Sequence, residues 1–413
     1  MISPRIPLFI TILFIATGFA TISYGQKGEP SVLLVSFDGF RYDYIDKHDL
    51  KNFKAFRANG ASAEGLIPCY PSLTFPNHYS IVTGLLPVHH GLVDNNFYDS
   101  ALNITYSIGN RAVVSNPGFY GGTPLWTLAK QAGMKTASYF WVGSEINDPA
   151  KRPDKFFPYE SKVAFTTRID SVLSWLNKND NERPRLITLY FDEPDHEAHD
   201  TGPNSPEIHA VLLRMDSLLG YMMAGIKKIN APINTILVSD HGMAELKVQD
   251  DTFVFLDELF DIKTSKFKVV TSSTLAHLYF DDKHTMDSMY TFLKTKENGY
   301  KVYRRRELHL DHYRVGDLVM VSTPSHHIRA ADRKKNIPES KRGTSFGVHG
   351  YDPNVVTDMR GIFLAQGPQI KKDVKVGLVR NLDIFPLITR ILHLESPKID
   401  GDPKALDKIY VGK

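Results

Sequence analysis

The chain has 413 residues, of which 42% are hydrophobic and 23% are charged, and this composition is ordinary for a globular protein with a large buried core. The formal net charge is only +3, so the chain has no global basic field of the kind that nucleic-acid-binding proteins use. We therefore expect no specific nucleic-acid partner.

The first 25 residues differ from the rest of the chain. Arg5 precedes a mostly apolar run over residues 6–20, and small and polar residues follow up to Gln26. This layout is typical of a secretory signal peptide, and the run is shorter than the roughly 20 residues that span a bilayer. We predict that residues 1–25 are a signal peptide and that the mature protein is exported, to the periplasm or outside the cell, with no stable membrane partner. An uncleaved N-terminal anchor is the alternative.

Short apolar runs then alternate with helical patterns. Runs rich in Val, Ile, Leu and Phe predict buried strands, and apolar residues at helical spacing predict helices. The predicted strands cover residues 32–37, 186–191, 235–239 and 361–365, and the predicted helices cover residues 123–132, 161–176 and 208–229. Alternation of this kind favours an α/β fold with a mostly parallel central sheet flanked by helices.

The segment from about 250 to 345 breaks the alternation. Short strand-like runs are mixed there with charged loops, and we interpret the segment as a small cap subdomain inserted into a single domain over residues 26–413. The chain is expected to return to the central sheet near Gly361.

The single cysteine, Cys69, allows no intramolecular disulfide. A lone cysteine that lies close to a histidine in space can act as a nucleophile. More often such a residue is a small buried hydrophobic side chain, and the sequence leaves both interpretations open.

Acidic and histidine side chains collect beside the predicted strands. In open α/β sheets, ligands bind beyond the carboxyl ends of the strands, so side chains that follow different strands meet at one rim. Buried carboxylates and imidazoles need a cation, and a mixed Asp and His set suits zinc, with enough ligands for two ions. The candidate ligands are Asp38 after the first strand, Asp195 and His199 after the second, Asp240 and His241 after the third, and His349 before the fourth.

A candidate nucleophile, Thr74, precedes an amphipathic stretch. Pro76 suits a first helical turn, so Thr74 is placed just before a helix N-terminus, where the dipole and free amides favour an alkoxide and a bound phosphate. Metal coordination lowers the pKa of a hydroxyl further. Asn95 could donate a hydrogen bond to a phosphate oxygen as charge develops. The simpler alternative for Thr74 is a helix N-cap.

Each motif alone has such a simpler interpretation. Asp38 by itself is typical of a turn or a helix cap, and the spacing of Asp195 and His199 also fits a His-rich surface loop. The hypothesis of a metal site with a threonine nucleophile depends on all the motifs occurring together at strand ends.

Six motifs occur in the order found in a known family. They lie at residues 37–41, 71–84, 94–95, 193–199, 239–243 and 349–350. Together they resemble the nucleotide pyrophosphatase/phosphodiesterase family of the alkaline phosphatase superfamily, over nearly all of the chain from Val32 to Asp402. The resemblance implies an alkaline phosphatase-like fold.

The resemblance also implies a mechanism with two Zn²⁺ ions per chain. Thr74 would attack phosphorus to form a phospho-threonine ester, Asn95 would bear part of the developing charge, and water would then release a nucleoside 5′-monophosphate. The implied ligands are Asp195, His199 and His349 for one zinc, and Asp38, Thr74, Asp240 and His241 for the other.

Two aromatic residues bear on the choice of substrate. Phe75 and Tyr159 match the aromatic pair that sandwiches the base in nucleotide-cleaving members, which implies a small nucleotide or dinucleotide substrate. Packing in the core is the alternative for both rings. Two other functions stay open: a phosphomonoesterase or a lipid or choline-ester phosphodiesterase on the same two-zinc site, and a zinc-binding protein without catalysis.

Overall fold

The structure of the protein, a computed structural model, describes residues 28–412. The predicted signal peptide, residues 1–25, lies outside the described residues. Within residues 28–412, no helix combines the length and the apolar character that crossing a bilayer requires.

The strands are numbered in chain order over residues 28–412. They are β1 (Ser31–Phe37), β2 (Ala61–Ile67), β3 (Asn96–Asp99), β4 (Ile104–Ser107), β5 (Thr136–Tyr139), β6 (Lys155–Phe157), β7 (Leu186–Phe191), β8 (Ile233–Val238), β9 (Ala244–Lys247), β10 (Phe253–Phe255), β11 (Phe267–Ser272), β12 (Leu275–Phe280), β13 (Tyr300–Arg304), β14 (Leu318–Ser322), β15 (His327–Arg329), β16 (Ser345–Val348), β17 (Phe363–Gln366) and β18 (Val374–Arg380).

The α-helices of the same residues are numbered in the same way. They are α1 (Tyr44–Lys47), α2 (Lys51–Ala58), α3 (Thr74–Thr83), α4 (Pro87–His90), α5 (Arg111–Val114), α6 (Leu125–Gln131), α7 (Phe165–Leu176), α8 (Asp195–Thr201), α9 (Pro206–Ile226), α10 (Lys283–Thr295), α11 (Arg333–Asn336) and α12 (Ile384–Ile391).

A central sheet of eight strands, counted over the described residues, has the order β18-β2-β17-β8-β1-β7-β5-β6. β1 pairs in parallel with β7 and β8, so that Leu33 lies opposite both Ile187 and Thr235. β17 is the exception, because it runs antiparallel to β8 and to β2. The predicted α/β fold with a mostly parallel central sheet is confirmed.

Both faces of this sheet are covered. Leu33, Val35 and Phe37 of β1 pack into one apolar layer with residues of α2, α7 and α9, whereas Val32 and Leu34 pack into the other with residues of α3, α6 and α12. All five side chains are fully buried. Burial on both faces explains why the sequence of β1 is a continuous apolar run rather than an alternating one.

A second sheet lies inside the segment that was predicted to be inserted. Strands β11, β12, β14 and β13 form a four-stranded antiparallel sheet in that order. Leu278, Leu293 and Met320 belong to its own apolar cluster. We call this unit the inserted sheet. The boundaries of the insertion, about 250 to 345, stay a prediction.

Cys69 is buried and lies two residues after the end of β2. Its thiol donates a hydrogen bond to Asn381 Oδ1 at 3.3 Å, and its backbone N–H donates to Asn77 Oδ1 at 2.7 Å. Burial raises the pKa of the Cys69 thiol to about 12. These surroundings favour the interpretation of Cys69 as a buried structural residue.

We expect Cys69 to resist thiol reagents in the folded protein. At about pH 8 the native thiol should be labelled at least about 100-fold more slowly than the same thiol in urea, because the raised pKa leaves little thiolate. The release of chromophore from a disulfide reagent measures both rates, with Cys69→Ser as the blank. Equal native and unfolded rates would show that the thiol is accessible and reactive.

Candidate active site

One rim of the central sheet gathers the predicted ligands. Asp38 directly follows β1, and Asp195 begins α8 just after β7. Asp240 and His241 lie between β8 and β9. β16 pairs antiparallel with β9 and places Val348 opposite Ala244, so His349 arrives beside His241, with their ring centroids 3.7 Å apart. The structure thus brings these residues together at one rim of the sheet, and their role as ligands stays a prediction.

A first cluster consists of Asp195, His199 and His349. Nε2 of His199 lies 3.4 Å from Asp195 Oδ2, and Nε2 of His349 lies 3.2 Å from Nε2 of His199. Asp195 and His199 reach the same side because they are four residues apart on α8. The ligand atoms of all three residues lie within 4.8 Å of one another, which is a separation that a single metal ion can bridge.

A second cluster surrounds Nε2 of His241. This atom lies 3.2 Å from Thr74 Oγ1, 3.0 Å from Asp240 Oδ2 and 3.4 Å from Asp38 Oδ1. Asp38, Asp195 and His241 also converge, so the two clusters adjoin. The chain passes close to Asp195 at Gly39, where a Cβ would lie only 2.8 Å from Asp195 Cβ, so this position has no room for a side chain.

The three histidines of these clusters share one orientation. Each uses Nδ1 to contact a backbone carbonyl, and since a carbonyl can only accept, Nδ1 carries the proton. In the neutral form of each ring, Nε2 therefore has the lone pair and faces the cluster, as in histidines that bind metals. The carbonyl partners are Gly347 for His199 at 2.9 Å, Gly242 for His241 at 2.8 Å, and Ser72 for His349 at 3.0 Å.

The charged form of Asp38 is electrostatically unfavourable without a cation, whereas, against the effect of burial, His199 lowers the pKa of Asp195 and His241 lowers that of Asp240. Asp38, Asp195 and Asp240 each have a buried oxygen that lacks a hydrogen-bond partner within residues 28–412. Burial raises the pKa of Asp38 well above its usual value, and the neighbouring carboxylates of Asp240 and Asp195 raise it further. Leaving such atoms unpaired is costly, and a divalent cation removes the cost. These Asp and His groups are therefore able to bind metal.

Thr74 is the first residue of α3, and Leu73 is the N-cap, so the N-cap alternative for Thr74 is wrong. The backbone N–H of Phe75 donates to Asn95 Oδ1 at 2.9 Å. This amide is therefore engaged by the protein, which differs from the expectation of free amides at the helix terminus. The contact also orients Asn95, because its oxygen faces Phe75 and its NH₂ group remains as a donor.

A cavity of about 630 Å³ opens beside Thr74. Its lining includes Asp38, Thr74, Asp195, Phe75 and Tyr159. This volume is in the usual range for small-molecule sites. Phe75 and Tyr159 are both only partly buried, and each packs against one of the two apolar layers of the central sheet.

His78 is a site residue that the sequence analysis missed. It is fully buried, its Nδ1 donates to the backbone carbonyl of Thr74 at 2.9 Å, and it lies 3.3 Å from Asp240 Oδ2. Its Nε2 accepts from the Ser36 hydroxyl at 2.8 Å. Asp38, His78 and Asp240 are close enough together for one metal ion to bridge them, but both ring nitrogens of His78 are engaged by the protein, which favours a role in orienting Thr74. Its position four residues after Thr74 on one helix was the available signal.

Comparison with known proteins identifies the family. The family model for type I phosphodiesterase/nucleotide pyrophosphatase matches residues 32–352. The chain belongs to this family. This match confirms the resemblance to the family that the sequence motifs indicated. The alkaline phosphatase-like fold agrees with solved structures of family members.

Relatives in the type I phosphodiesterase/nucleotide pyrophosphatase family are longer than this chain. Ectonucleotide pyrophosphatase/phosphodiesterase family member 1 of Homo sapiens is 32% identical over 92% of this chain and 42% of its own length. The venom phosphodiesterase of Macrovipera lebetinus is 32% identical over 92% of this chain and 45% of its own length. The chain thus spans less than half of these two relatives.

Solved structures of the family superpose closely. Murine ectonucleotide pyrophosphatase/phosphodiesterase 5, in an inactive form in complex with AMP, has a TM-score of 0.84 and 28% identity over 92% of this chain and 100% of that chain. The human protein of the same name has a TM-score of 0.84 and 27% identity over the same shares of the two chains.

Proposed function

We propose that the protein is a two-zinc phosphodiesterase that hydrolyses nucleoside 5′-phosphodiester or pyrophosphate bonds to nucleoside 5′-monophosphates. The observation that carries the proposal is the position of Thr74, whose Oγ1 lies 3.2 Å from His241 Nε2, beside two Asp and His clusters. Family membership supports it, as does the AMP complex of the murine relative.

The residues present fit two metal ions. The carboxylates offer buried oxygens that have no hydrogen-bond partner. The histidines use Nδ1 to contact backbone carbonyls, so that Nε2 faces the cluster and is available to bind a metal ion. Zinc, when bound, acts as a Lewis acid that lowers the pKa of a hydroxyl and neutralises charge on the phosphoryl oxygens. We assign Asp195, His199 and His349 to one ion, and Asp38, Thr74, Asp240 and His241 to the other.

In the first chemical step, the Thr74 oxygen forms a bond to phosphorus while the bond from phosphorus to the leaving-group oxygen breaks. The product is a nucleoside phosphate ester of Thr74. The Asn95 NH₂ group donates to a non-bridging oxygen as its charge increases, which is where a fixed donor lowers the barrier most. In the second step, water breaks the Thr74 ester and releases the nucleoside 5′-monophosphate.

The base of the nucleotide is proposed to lie between Phe75 and Tyr159, since both rings line the cavity beside Thr74. Stacking on such rings tolerates different bases, because every base has a π face. The Arg111 guanidinium lies 5.9 Å from the centroid of the Tyr159 ring and further orders it.

Tyr159→Ala is expected to raise KM for a nucleotide substrate about 5- to 150-fold, because one stacked base contributes about 1–3 kcal/mol. The change in kcat should be small, since Tyr159 does not contact the reacting atoms. Initial rates on a nucleotide diester measure both constants, and Tyr159→Phe is the matched control that keeps the ring. An unchanged KM, or an equal loss on bis(p-nitrophenyl) phosphate, which has no base, would reject base stacking.

The function itself is tested with two chromogenic substrates and zinc in the assay. One is the p-nitrophenyl diester of thymidine 5′-monophosphate, and the other is p-nitrophenyl phosphate. A strong preference for the diester supports the proposal. Preference for the monoester would favour the phosphomonoesterase alternative. Cleavage of a choline or lipid diester alone would favour the lipid or choline-ester phosphodiesterase alternative. No turnover of any ester by the metal-loaded chain would revive the non-catalytic alternative.

We further propose that residues 26–413 act as one catalytic domain and that the mature protein works outside the cytoplasm, in the periplasm or after secretion. The predicted signal peptide is the basis, and relatives named as venom phosphodiesterases agree with an exported enzyme.

A further inference from the structure

The inserted sheet reaches the candidate active site through a buried polar pair. His277 of β12 and Asp94, the residue before Asn95, are 1% and 0% exposed. Nε2 of His277 lies 3.1 Å from Asp94 Oδ2, although the two residues are 183 positions apart in sequence. Burying a polar group costs free energy unless the group is hydrogen-bonded, so each member of this pair stabilises the other in the folded protein.

The proton arrangement of the pair is determined by its neighbours. The backbone N–H of Gly316 donates to His277 Nδ1 at 3.3 Å, so the proton of the ring lies on Nε2 and is donated to Asp94. The close fit requires a glycine, because a Cβ at Gly316 would lie 2.9 Å from His277 Cα and 2.6 Å from the backbone nitrogen of Leu278.

Asp94 transmits this contact to Asn95. Its second oxygen, Oδ1, accepts the backbone N–H of Asn96 at 3.1 Å, so the carboxylate bridges from the inserted sheet to the residue after Asn95. The side-chain oxygen of Asn95 is held in turn by Phe75 N–H at 2.9 Å. Asn95 is therefore fixed from both sides, by α3 at its amide oxygen and by the inserted sheet through its backbone.

Two further contacts from the same unit hold the strand that follows. The backbone N–H of Tyr98 donates to the hydroxyl of Tyr279, which lies two residues after His277 and on the same face of β12, at 3.0 Å. Nε of Arg314 donates to Asp99 Oδ2 at 2.6 Å in a buried ion pair. The inserted sheet and the connection between its strands β13 and β14 thus support residues 94–99 at three points.

We propose that His277 is a positioning residue for the phosphodiesterase reaction. Through Asp94 it holds the Asn95 NH₂ group where the charge on the phosphoryl oxygen develops. The inserted sheet then contributes to catalysis as the support of Asn95. This inference rests on the proposed function, since Asn95 must act on a phosphoryl group for its placement to affect the rate.

The test compares His277→Leu with His277→Gln, because Leu removes the donor and the Gln amide can still donate to Asp94. His277→Leu is expected to lower kcat about 10- to 100-fold, a part of what the loss of an oxyanion donor costs, with KM changed by less than about twofold. His277→Gln should recover most of that loss.

A double-mutant cycle separates positioning from general support. In an Asn95→Ala background, His277→Leu should lower kcat by less than about threefold, because the group that it positions is already absent. Full additivity of the two losses would overturn the inference. Tyr300→Phe, which removes a buried hydroxyl contact to Leu293 O inside the inserted sheet, controls for loosening of that unit and should leave kcat unchanged.

His277→Leu leaves a buried carboxylate without its partner and can unfold the chain. The double variant Asp94→Asn/His277→Leu removes that charge and should show the same loss of kcat. A folded double variant with wild-type kcat would overturn the inference.

Wild type and Thr74→Ala are assayed in parallel to distinguish failure of this inference from failure of the proposed function. A wild type that does not cleave the diester refutes the proposed function. An active wild type together with an unaffected His277→Leu variant refutes only the role of His277.

Discussion

Replacement of Thr74 by Ala is expected to lower kcat for a nucleoside 5′-phosphodiester by about 10⁴-fold or more, because loss of a nucleophile removes the covalent route. The effect should be on the chemical step. Thr74 is held by its surroundings for attack, since it begins α3, its carbonyl accepts from buried His78, and its Oγ1 faces His241. Steady-state kinetics with the p-nitrophenyl diester of thymidine 5′-monophosphate measure the loss.

Thr74→Ser is the matched control, because it keeps a hydroxyl at the same place and should retain far more activity than Thr74→Ala. Zinc content should stay close to that of the wild type in both variants, since a threonine hydroxyl is a weak zinc ligand and all the Asp and His ligands remain. Retention of more than about one tenth of kcat by a metal-loaded Thr74→Ala protein would be incompatible with a threonine nucleophile.

Removal of metal is expected to have a comparably large effect. A chelator should lower the activity by at least about 10³-fold, because Lewis-acid stabilisation of the transition state contributes several kcal/mol. It should also lower Tm, because a ligand present at 1,000 times its Kd adds about 4 kcal/mol of stability. The physical cause is the burial of the Asp38 carboxyl group, together with the neighbouring carboxylates of Asp240 and Asp195, which raises the pKa of Asp38 when no cation is bound.

Elemental analysis and thermal unfolding give the two readouts, and added zinc should restore both activity and Tm. His241→Ala should reduce the metal content from about two ions towards one, because it removes a ligand from only one cluster. His89→Ala is the control, since His89 is exposed and pairs with Asp400 away from the clusters. Full activity in the chelated protein, or full metal content in His241→Ala, would contradict the assignment.

Sequence patterns predicted the central strands well because those strands are buried on both faces. The predicted strand over residues 186–191 coincides with β7, and the predicted strand over residues 32–37 differs from β1 by one residue. Continuous apolar runs of this kind are informative, since few other elements need them. The polar residues that follow such runs were then brought to one rim by topology alone.

Other parts of the sheet could not be predicted from local patterns. The apolar run of β2 is interrupted by Glu64 and Gly65, and β18 is an edge strand of alternating character in which Lys375 and Gly377 are not core residues. The antiparallel direction of β17 has no signature in its own residues. It follows from the path of the chain through the inserted segment.

The residues that support the site by hydrogen bonds could not be predicted from the sequence either. His78 and Tyr190 gain their roles only in the folded protein, where Tyr190 donates to Asp38 Oδ2 at 2.6 Å. The Asp94 and His277 pair joins two units of the chain, and nothing near either residue indicates the other. Sequence motifs identify candidate ligands and nucleophiles by type and spacing, whereas their hydrogen-bonded supports depend on tertiary contacts.

The stereochemical course at phosphorus tests the central claim most directly. The substrate is a nucleoside 5′-phosphorothioate diester of one configuration, cleaved in ¹⁸O-labelled water, and the configuration of the product nucleoside 5′-phosphorothioate is determined by phosphorus NMR. We predict retention, because attack by Thr74 and then by water inverts phosphorus twice. Inversion would show that water attacks the substrate directly, and it would contradict the covalent role assigned to Thr74.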